Sequence, residues 1–480
     1  MTSGAFFDLD RTLLIGASGP VISEAMRAEG LVGPDPIPGE KLLFGLFDAI
    51  GETLPAMLIT RQGARAAKGW SVDAVRRVGK AVAQPLAERV LPYARQAIDQ
   101  HQAEGRPVVL ATTTPYDLVR PLADELGLDG VVATRYGVAD EGSGADGGLV
   151  YDGTVDGEFV WGRGKLKAVR AWAGAHQVDV AQSWGYSDSF FDSPLLSAVG
   201  HPVAVNPDPR LLIMATAQRW PVVHFDVPPG VPKLLGIEPQ RLLHALARPE
   251  LFPYARFDID GVENLPTDGA AILVGNHRSY FDISALGMVL ARAGRPARFL
   301  GKKEVFDAPV VGPMARALGG IRVDRGTGND QPLEEAAEAL QAGELVALMP
   351  QGTIPRGRAF FDPQLQGRWG AVKLARLAGV PLVPVGLWGT EKVWPRSARV
   401  PNVLNVTDPP LIRIRVGKPF MAVEGDIDAA TADMMEHISA LLPPESRQPH
   451  DPTPEELAAT MPPGHDVEGT HESTRRPGTD

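Results

Sequence analysis

Ala5-Phe6-Phe7-Asp8-Leu9-Asp10-Arg11-Thr12 sets three apolar residues directly against a run that holds two carboxylates and a hydroxyl. The apolar triplet reads as a buried strand. The acids read as the loop at its C-terminal end, where ligands collect in open parallel sheets. With Asp8 continuing the extended strand, Asp8 and Asp10 point the same way into one cavity, because side chains alternate along a strand. Two carboxylates that close repel unless a hard cation such as Mg²⁺ neutralises them, and Mg²⁺ prefers oxygen ligands and phosphate partners.

Outward from this stretch, a mostly helical region runs to about residue 103, with Gly and Pro clusters at 30–39 separating helices. Further strands are predicted at 107–111, 183–186 and 202–205. Strands alternating with helices predict a parallel α/β sheet, and the helices between the first two strands, about 15–103, read as an inserted cap. The character changes at Pro228-Pro229-Gly230. There 234–246 reads as an amphipathic helix anchored by Leu234, Leu235, Leu242, Leu243 and Leu246, which docks on the next domain or on a membrane. A second α/β unit starts at 270–274, with strands at 345–349 and 380–387 and a last helix at 429–442. From Pro443 onward eight prolines lie among acidic and small polar residues, the composition of a disordered tail. The expected organisation is α/β throughout, with one domain over 1–225, a linker over 226–254, a second domain over 255–442 and a tail over 443–480.

The 480 residues exceed what one hydrophobic core organises, in line with two domains. The chain has no cysteine, which excludes disulfides, thiolate metal sites and cysteine nucleophiles. Met1-Thr2-Ser3-Gly4 carries no basic and apolar leader, and no window approaches the roughly 18 apolar residues of a membrane span. A cytoplasmic protein is expected, peripheral on the inner face of the cell membrane, with no nucleic-acid partner. The formal net charge is −11, yet residues 292–325 hold eight basic and three acidic groups, a local excess suited to an anionic ligand or lipid surface.

Three further segments of the first domain belong with Asp8 and Asp10. Thr112 follows the second apolar strand in Ala111-Thr112-Thr113-Thr114-Pro115, where a hydroxyl and helix N-terminal amides hold phosphate. Lys165, in Gly162-Arg163-Gly164-Lys165, can neutralise phosphate charge and steady a carboxylate nucleophile. Gly185-Tyr186-Ser187-Asp188-Ser189-Phe190-Phe191-Asp192 adds two acids, again just after a strand. In this order the segments resemble the four motifs of the haloacid dehalogenase-like (HAD) hydrolases, in the phosphoserine-phosphatase-like branch with a helical cap. The resemblance covers roughly residues 4–220. It implies a Rossmann-like fold, Asp8 as nucleophile forming an aspartyl-phosphate, and Asp10 as general acid/base. It further implies Mg²⁺ held by Asp8, Asp10 through its backbone, and Asp188, with Asp192 supporting, and Thr112 and Lys165 binding the phosphoryl group. Ser187 stands where many relatives have glycine.

In the second domain, Gly275-Asn276-His277-Arg278-Ser279-Tyr280-Phe281-Asp282 follows a strand. Positions i and i+5 of a regular helix lie roughly 140° apart. His277 and Asp282 therefore meet only if His277 sits in a loop before a helix that begins near Arg278. A carboxylate there fixes the imidazole tautomer and leaves the other ring nitrogen to take a proton from a hydroxyl. Gly301-Lys302-Lys303-Glu304 and 319–325 bring cations toward anionic groups, 349–353 forms a tight Gly turn after an apolar strand, and 380–385 is an apolar strand punctuated by prolines. Together these resemble the four blocks of the glycerophospholipid acyltransferases, closest to the 1-acylglycerol-3-phosphate acyltransferases, over about 255–425. The resemblance implies transfer of a fatty acyl group from acyl-CoA or acyl carrier protein to a lysophospholipid hydroxyl, without an acyl-enzyme. His277 is then the general base and Asp282 its orienting partner, with Lys302, Arg325, Gly352 and Thr353 on the substrate. Two residues depart from the third block: Gln351 replaces its glutamate and Ile354 its arginine, with Arg356 or Arg358 as substitute cations. These departures leave another lysolipid or a glycolipid open as acceptor. A further alternative gives the first domain a non-catalytic role, binding a phosphorylated regulator, and its complete set of catalytic acids argues against it.

Overall fold

In the computed structural model residues 2–33, 62–139, 148–233, 236–309, 311–323 and 331–463 are described. The chain divides into two compact units, Met1–Pro229 and Gly230–Asp480. Each is built on a seven-stranded, mainly parallel sheet.

The strands of the first unit are β1 (Ala5–Phe7), β2 (Val108–Pro115), β3 (Gly130–Ala139), β4 (Val150–Asp156), β5 (Trp184–Ser187), β6 (His201–Val205) and β7 (Val222–Val223). They lie in the order β4-β3-β2-β1-β5-β6-β7. Although β1 has three residues, all are fully buried, because parallel partners flank it on both sides and Phe7 sits opposite Leu110 and Tyr186. The loops leaving β1, β2 and β5 therefore emerge side by side at one end of the sheet. The pair β3–β4 is antiparallel at the sheet edge and had no counterpart among the predicted strands.

Between β1 and β2 lie helices Gly19–Ala28, Gly63–Ala66, Val72–Ala87 and Pro92–Ala103. The third starts where the Ser71 hydroxyl accepts the Ala74 N–H, and its apolar stripe is buried. The fourth falls within the stretch expected as cap, but it packs on the sheet: the His101 ring lies edge-on to Phe7 and Tyr186.

The second unit comprises β8 (Arg256–Asp260), β9 (Ala271–Gly275), β10 (Ala297–Lys302), β11 (Ile321–Val323), β12 (Leu345–Leu348), β13 (Leu382–Trp388) and β14 (Leu411–Val416). Their order is β11-β10-β12-β9-β13-β14-β8, with β13 and β14 antiparallel. Strand β9 is apolar throughout because both faces are covered. Ala271 and Leu273 join Leu286, Val289 and Leu290 of helix Asp282–Ala293, whereas Ile272 and Val274 join Leu374, Met434 and Ile438 on the other face.

Helix Pro239–Leu246 falls in the segment expected to be amphipathic, and its polar side is the one that docks. Gln240 donates to the Ala297 carbonyl at 2.9 Å, and Glu238 pairs with the buried Arg298, which also holds Glu344. Leu242, Leu243 and Leu246 are exposed instead of anchoring the helix; Leu234 and Leu235 lie outside the described residues. The stretch from 443, expected to be a disordered tail, has ordered structure as far as residue 463. Pro454–Ala459 is helical, Thr453 and Glu456 form a capping box, and the Gly357 N–H donates to Thr460 Oγ1 at 2.8 Å.

Candidate active sites

The carboxylates of the first unit gather where β1 and β5 end. Asp8 keeps extended backbone and donates its N–H to the Tyr186 carbonyl at 3.0 Å, which ties it to both strands. Its Oδ1 accepts from Lys165 Nζ at 2.8 Å, and the same ammonium donates to Asp192 Oδ2 at 2.6 Å. Lys165 is 1% exposed, so its charge is compensated by these carboxylates rather than by water. It reaches them from helix Arg163–Ala175, whose entry needs glycine: a Cβ at Gly164 would stand 2.2 Å from the Phe159 carbonyl oxygen.

Past Asp8 the chain coils through Leu9–Leu13, with Arg11 at φ +58°. Asp10 turns its Oδ1 to the Ser18 N–H at 2.5 Å, at the start of helix Gly19–Ala28. Arg11 places its Nε 3.1 Å from Asp188 Oδ2, and Thr12 Oγ1 donates to Asp188 Oδ1 at 3.4 Å. The Ser187 hydroxyl donates to Asp192 Oδ2 at 2.7 Å, so the residue in the usual glycine position contacts the supporting acid. Thr112 lies inside β2, is buried, and accepts the Thr114 N–H on Oγ1 at 3.2 Å.

The donor set suits a hard divalent cation: Asp8, Asp10, Asp188 and Asp192 offer only oxygen. Asp192 Oδ1 is buried with no hydrogen-bond partner among the described residues, an oxygen left for an outer ligand. No three acidic or histidine side chains form a ready cage among the described residues, and Lys165 and Arg11 lie on Asp8 and Asp188.

Beneath β1, His101 accepts from Arg106 Nε on Nδ1 at 2.7 Å, which leaves Nε2–H to donate to Tyr186 Oη at 2.8 Å. Burial, followed by the Arg106 charge, pushes the imidazole down to about 4. It is held neutral in a fixed tautomer.

In the second unit, His277 Nδ1 stands 2.8 Å from Asp282 Oδ2. Loop 276–281 brings them together, but the helix starts at Asp282 itself, four residues later than the spacing predicted. Asp282 is its first residue and its Oδ2 also accepts the N–H groups of Arg278 and Ser279 at 2.7 and 2.8 Å. The carboxylate thus shapes the loop as well as the imidazole tautomer. Asn276 fixes the start of the loop through two bonds to Leu387: Nδ2 donates to its carbonyl at 2.9 Å and Oδ1 accepts its N–H at 2.7 Å.

Gln351 accepts the His277 N–H on Oε1 at 2.6 Å, so the residue that departs from the third block braces the backbone of His277. The next residues form the expected turn, with Gly352 at φ +71°. Lys302, at the end of β10, donates to Thr353 Oγ1 at 3.3 Å. His277, Gln351, Gly352, Thr353 and Lys302 therefore lie along one connected line. Arg325 lies outside the described residues. Of the proposed substitute cations, Arg358 is exposed and pairs with Asp451 at 3.1 Å. Ile354 is buried, so the third block shows no cation at that position.

Spacing and residue type gave no sign of Arg11, Thr390 or Glu391 as members of these sites, and marked Ser187 only as a departure from glycine. Thr390 Oγ1 donates to Asp282 Oδ1 at 2.5 Å, and Glu391 takes the Arg278 guanidinium at 3.1 and 3.2 Å.

Residues 5–197 match the family model described as haloacid dehalogenase-like hydrolase. The inhibition of morphological differentiation protein of Streptomyces azureus is 33% identical over 231 residues, 47% of this chain and 79% of that relative. Phosphoserine phosphatase SerB1 of Mycobacterium tuberculosis is 31% identical over 245 residues, 49% of this chain and 77% of the relative. The chain belongs to the haloacid dehalogenase-like hydrolases. This hydrolase also carries an acyltransferase domain, since residues 256–388 match the family model of that description. A chloroplastic 1-acyl-sn-glycerol-3-phosphate acyltransferase of Brassica napus, BAT2, is 31% identical over 181 residues, 37% of this chain and 48% of the relative. The hydrolase thus spans about half of that plant enzyme.

Proposed function

We propose that this hydrolase–acyltransferase is a bifunctional enzyme of phospholipid synthesis. Its rear site transfers a fatty acyl group from acyl-CoA or acyl carrier protein to 1-acyl-sn-glycerol-3-phosphate, giving phosphatidic acid. The observation that carries this reading is the His277–Asp282 pair, with Lys302 and Thr353 joined to it through Gln351. Nδ1–H is committed to Asp282, so Nε2 is the atom that takes the proton from the acceptor hydroxyl. The resulting alkoxide attacks the thioester carbonyl, the C–S bond breaks, and the thiolate leaves with the proton from His277. Lys302 meets the acceptor phosphate as a point charge.

At the front site Asp8 attacks phosphorus and the phosphoester P–O bond breaks, leaving an aspartyl-phosphate. Asp10 protonates the departing alcohol, then takes a proton from the water that attacks the intermediate; the P–O bond to Asp8 breaks, and phosphate leaves with the carboxylate restored. Thr112 and Lys165 hold the phosphoryl oxygens. Asp8, Asp10 through its backbone, and Asp188 would hold Mg²⁺, with Asp192 supporting, and the ion would offset phosphate charge.

Support for a peripheral position on the inner face of the cell membrane comes from exposed apolar side chains on two segments, Ile237, Leu242, Leu243 and Leu246, and Val403 and Leu404. No helix among the described residues is long and apolar enough to cross a membrane. Flotation with anionic vesicles at low salt tests this: co-migration is expected, and protein left at the bottom of the gradient contradicts it.

A second reading, transfer to another lysolipid or a glycolipid, is favoured by Gln351 and by the buried, uncharged Ile354. Mass spectrometry of products formed from acyl-CoA and a panel of lysolipids separates the two. Phosphatidic acid as the main product supports the first reading; a strong preference for an acceptor without phosphate overturns it.

A further inference from the structure

Strand β13 ends at Trp388 and is followed by Gly389-Thr390-Glu391. Gly389 has φ +91°, and a Cβ there would stand 2.3 Å from the Leu411 carbonyl oxygen, so the turn is open only to glycine. The turn drops Thr390 into the fully buried side of Asp282. The carboxylate's two oxygens are served unequally. Oδ2 accepts His277 Nδ1–H and two loop amides, whereas among the described residues Oδ1 accepts only from the Thr390 hydroxyl. Asp282 is 0% exposed, so water does not replace that donor. Without it, Asp282 has one buried oxygen unserved and gains by rotating to share the donors on Oδ2, which carries the imidazole out of line. The neighbouring Glu391 fixes the other side of the base: it holds Arg278, whose guanidinium lies 4.3 Å from the Phe360 ring and 4.2 Å from the Trp388 ring.

We propose that Thr390 is a positioning residue for the proton-accepting histidine, holding His277 in register through the far oxygen of Asp282. The inference rests on the reading of His277 as the base of acyl transfer.

Its test uses the full chain and two readouts. The first is the downfield proton resonance of His277 Nδ1–H, assigned by its disappearance in His277→Gln. The second is the steady-state kinetics of acyl transfer with acyl-CoA. Thr390→Val keeps the shape and removes the donor. It is expected to shift or broaden the resonance and to lower kcat about 10- to 100-fold at nearly constant KM, the span for a lost bond to a buried charge. Thr390→Ser keeps the donor and loses the methyl, and is expected to retain both resonance and kcat. Should Thr390→Val fold poorly by circular dichroism, the serine variant decides, because a packing role alone predicts a loss there. An unmoved resonance and kcat within about twofold in Thr390→Val, or a collapse of both in Thr390→Ser, overturns the proposal. Full activity in His277→Gln instead defeats the acyl-transfer reading, while the resonance still reports whether Thr390 orders the pair.

Discussion

The two sites solve the burial of carboxylate charge in opposite ways. In the front unit, charge meets charge: Lys165 bridges Asp8 and Asp192, and Arg11 lies on Asp188. In the rear unit, Asp282 is served by two amides, a hydroxyl and one imidazole, with no guanidinium or ammonium on it among the described residues. Under the proposed function, the cations that neutralise these acids must be outcompeted or moved when a phosphate and a metal bind. Neutral donors fix a carboxylate without adding a competing charge, and at the rear site Asp282 holds His277 through Nδ1.

Substitutions sharpen this contrast. Asp8→Asn has the largest expected effect at the front. Mg²⁺-dependent phosphate release from small phosphoesters should fall to background, about a thousandfold or more, with acyl transfer unchanged. Phosphate release surviving in the variant would show that Asp8 is not the nucleophile. At the rear, Gln351→Ala removes the acceptor of the His277 N–H and should lower kcat of acyl transfer about tenfold, whereas Gln351→Glu, which can accept the same bond, should stay within about threefold. A drop with Gln351→Glu as large as with alanine would mean that the amide has a use beyond bracing the loop.

Arg11 separates the two designs further. If its guanidinium competes with a cation for Asp188, Arg11→Ala should bind Mg²⁺ several-fold tighter by calorimetry. Weaker binding would make Arg11 an orienting partner instead. The smallest effect is on stability. His101 is neutral in the fold, with its pKa at about 4 against an unfolded value near 6.5, so the unfolded chain binds more protons between these values. Its burial leaves stability untouched above about pH 6.5 and lowers it by up to about 3 kcal/mol as pH falls toward 4. His101→Gln should flatten this part of the pH dependence in denaturant melts, and an unchanged slope would show that His101 takes up its proton as readily in the fold as in the unfolded chain.

What was legible in the sequence follows the same division. The strands β1 and β9 were readable because both faces are buried and the runs are continuously apolar, and β2 and β5 because a short buried run precedes the polar residues at the strand end. The His277–Asp282 pair was readable because its geometry is local, a loop closed by the first residue of a helix. Strands β3, β4, β7, β8, β10, β11 and β14 were missed: β7 and β11 have only two and three residues, β4, β8 and β14 are partly exposed, and the partners of all of them are set by the sheet rather than by local pattern. Thr390 was missed for the same reason. Its bond to Asp282 spans 108 residues and is made by the parallel pairing of β13 with β9, which brings the ends of the two strands side by side. The amphipathic segment was legible as to pattern but not as to side, because the buried Arg298 draws Glu238 inward and turns the leucines out.

The central claim, that His277 is the base of an acyl transfer independent of the front site, is tested most directly by His277→Ala in the full chain. Acyl transfer from acyl-CoA to 1-acyl-sn-glycerol-3-phosphate is followed by mass spectrometry, beside phosphate release by the same preparation. The expected result is acyl transfer reduced to background with phosphate release and melting temperature unchanged. Acyl transfer at the wild-type rate in His277→Ala would contradict it.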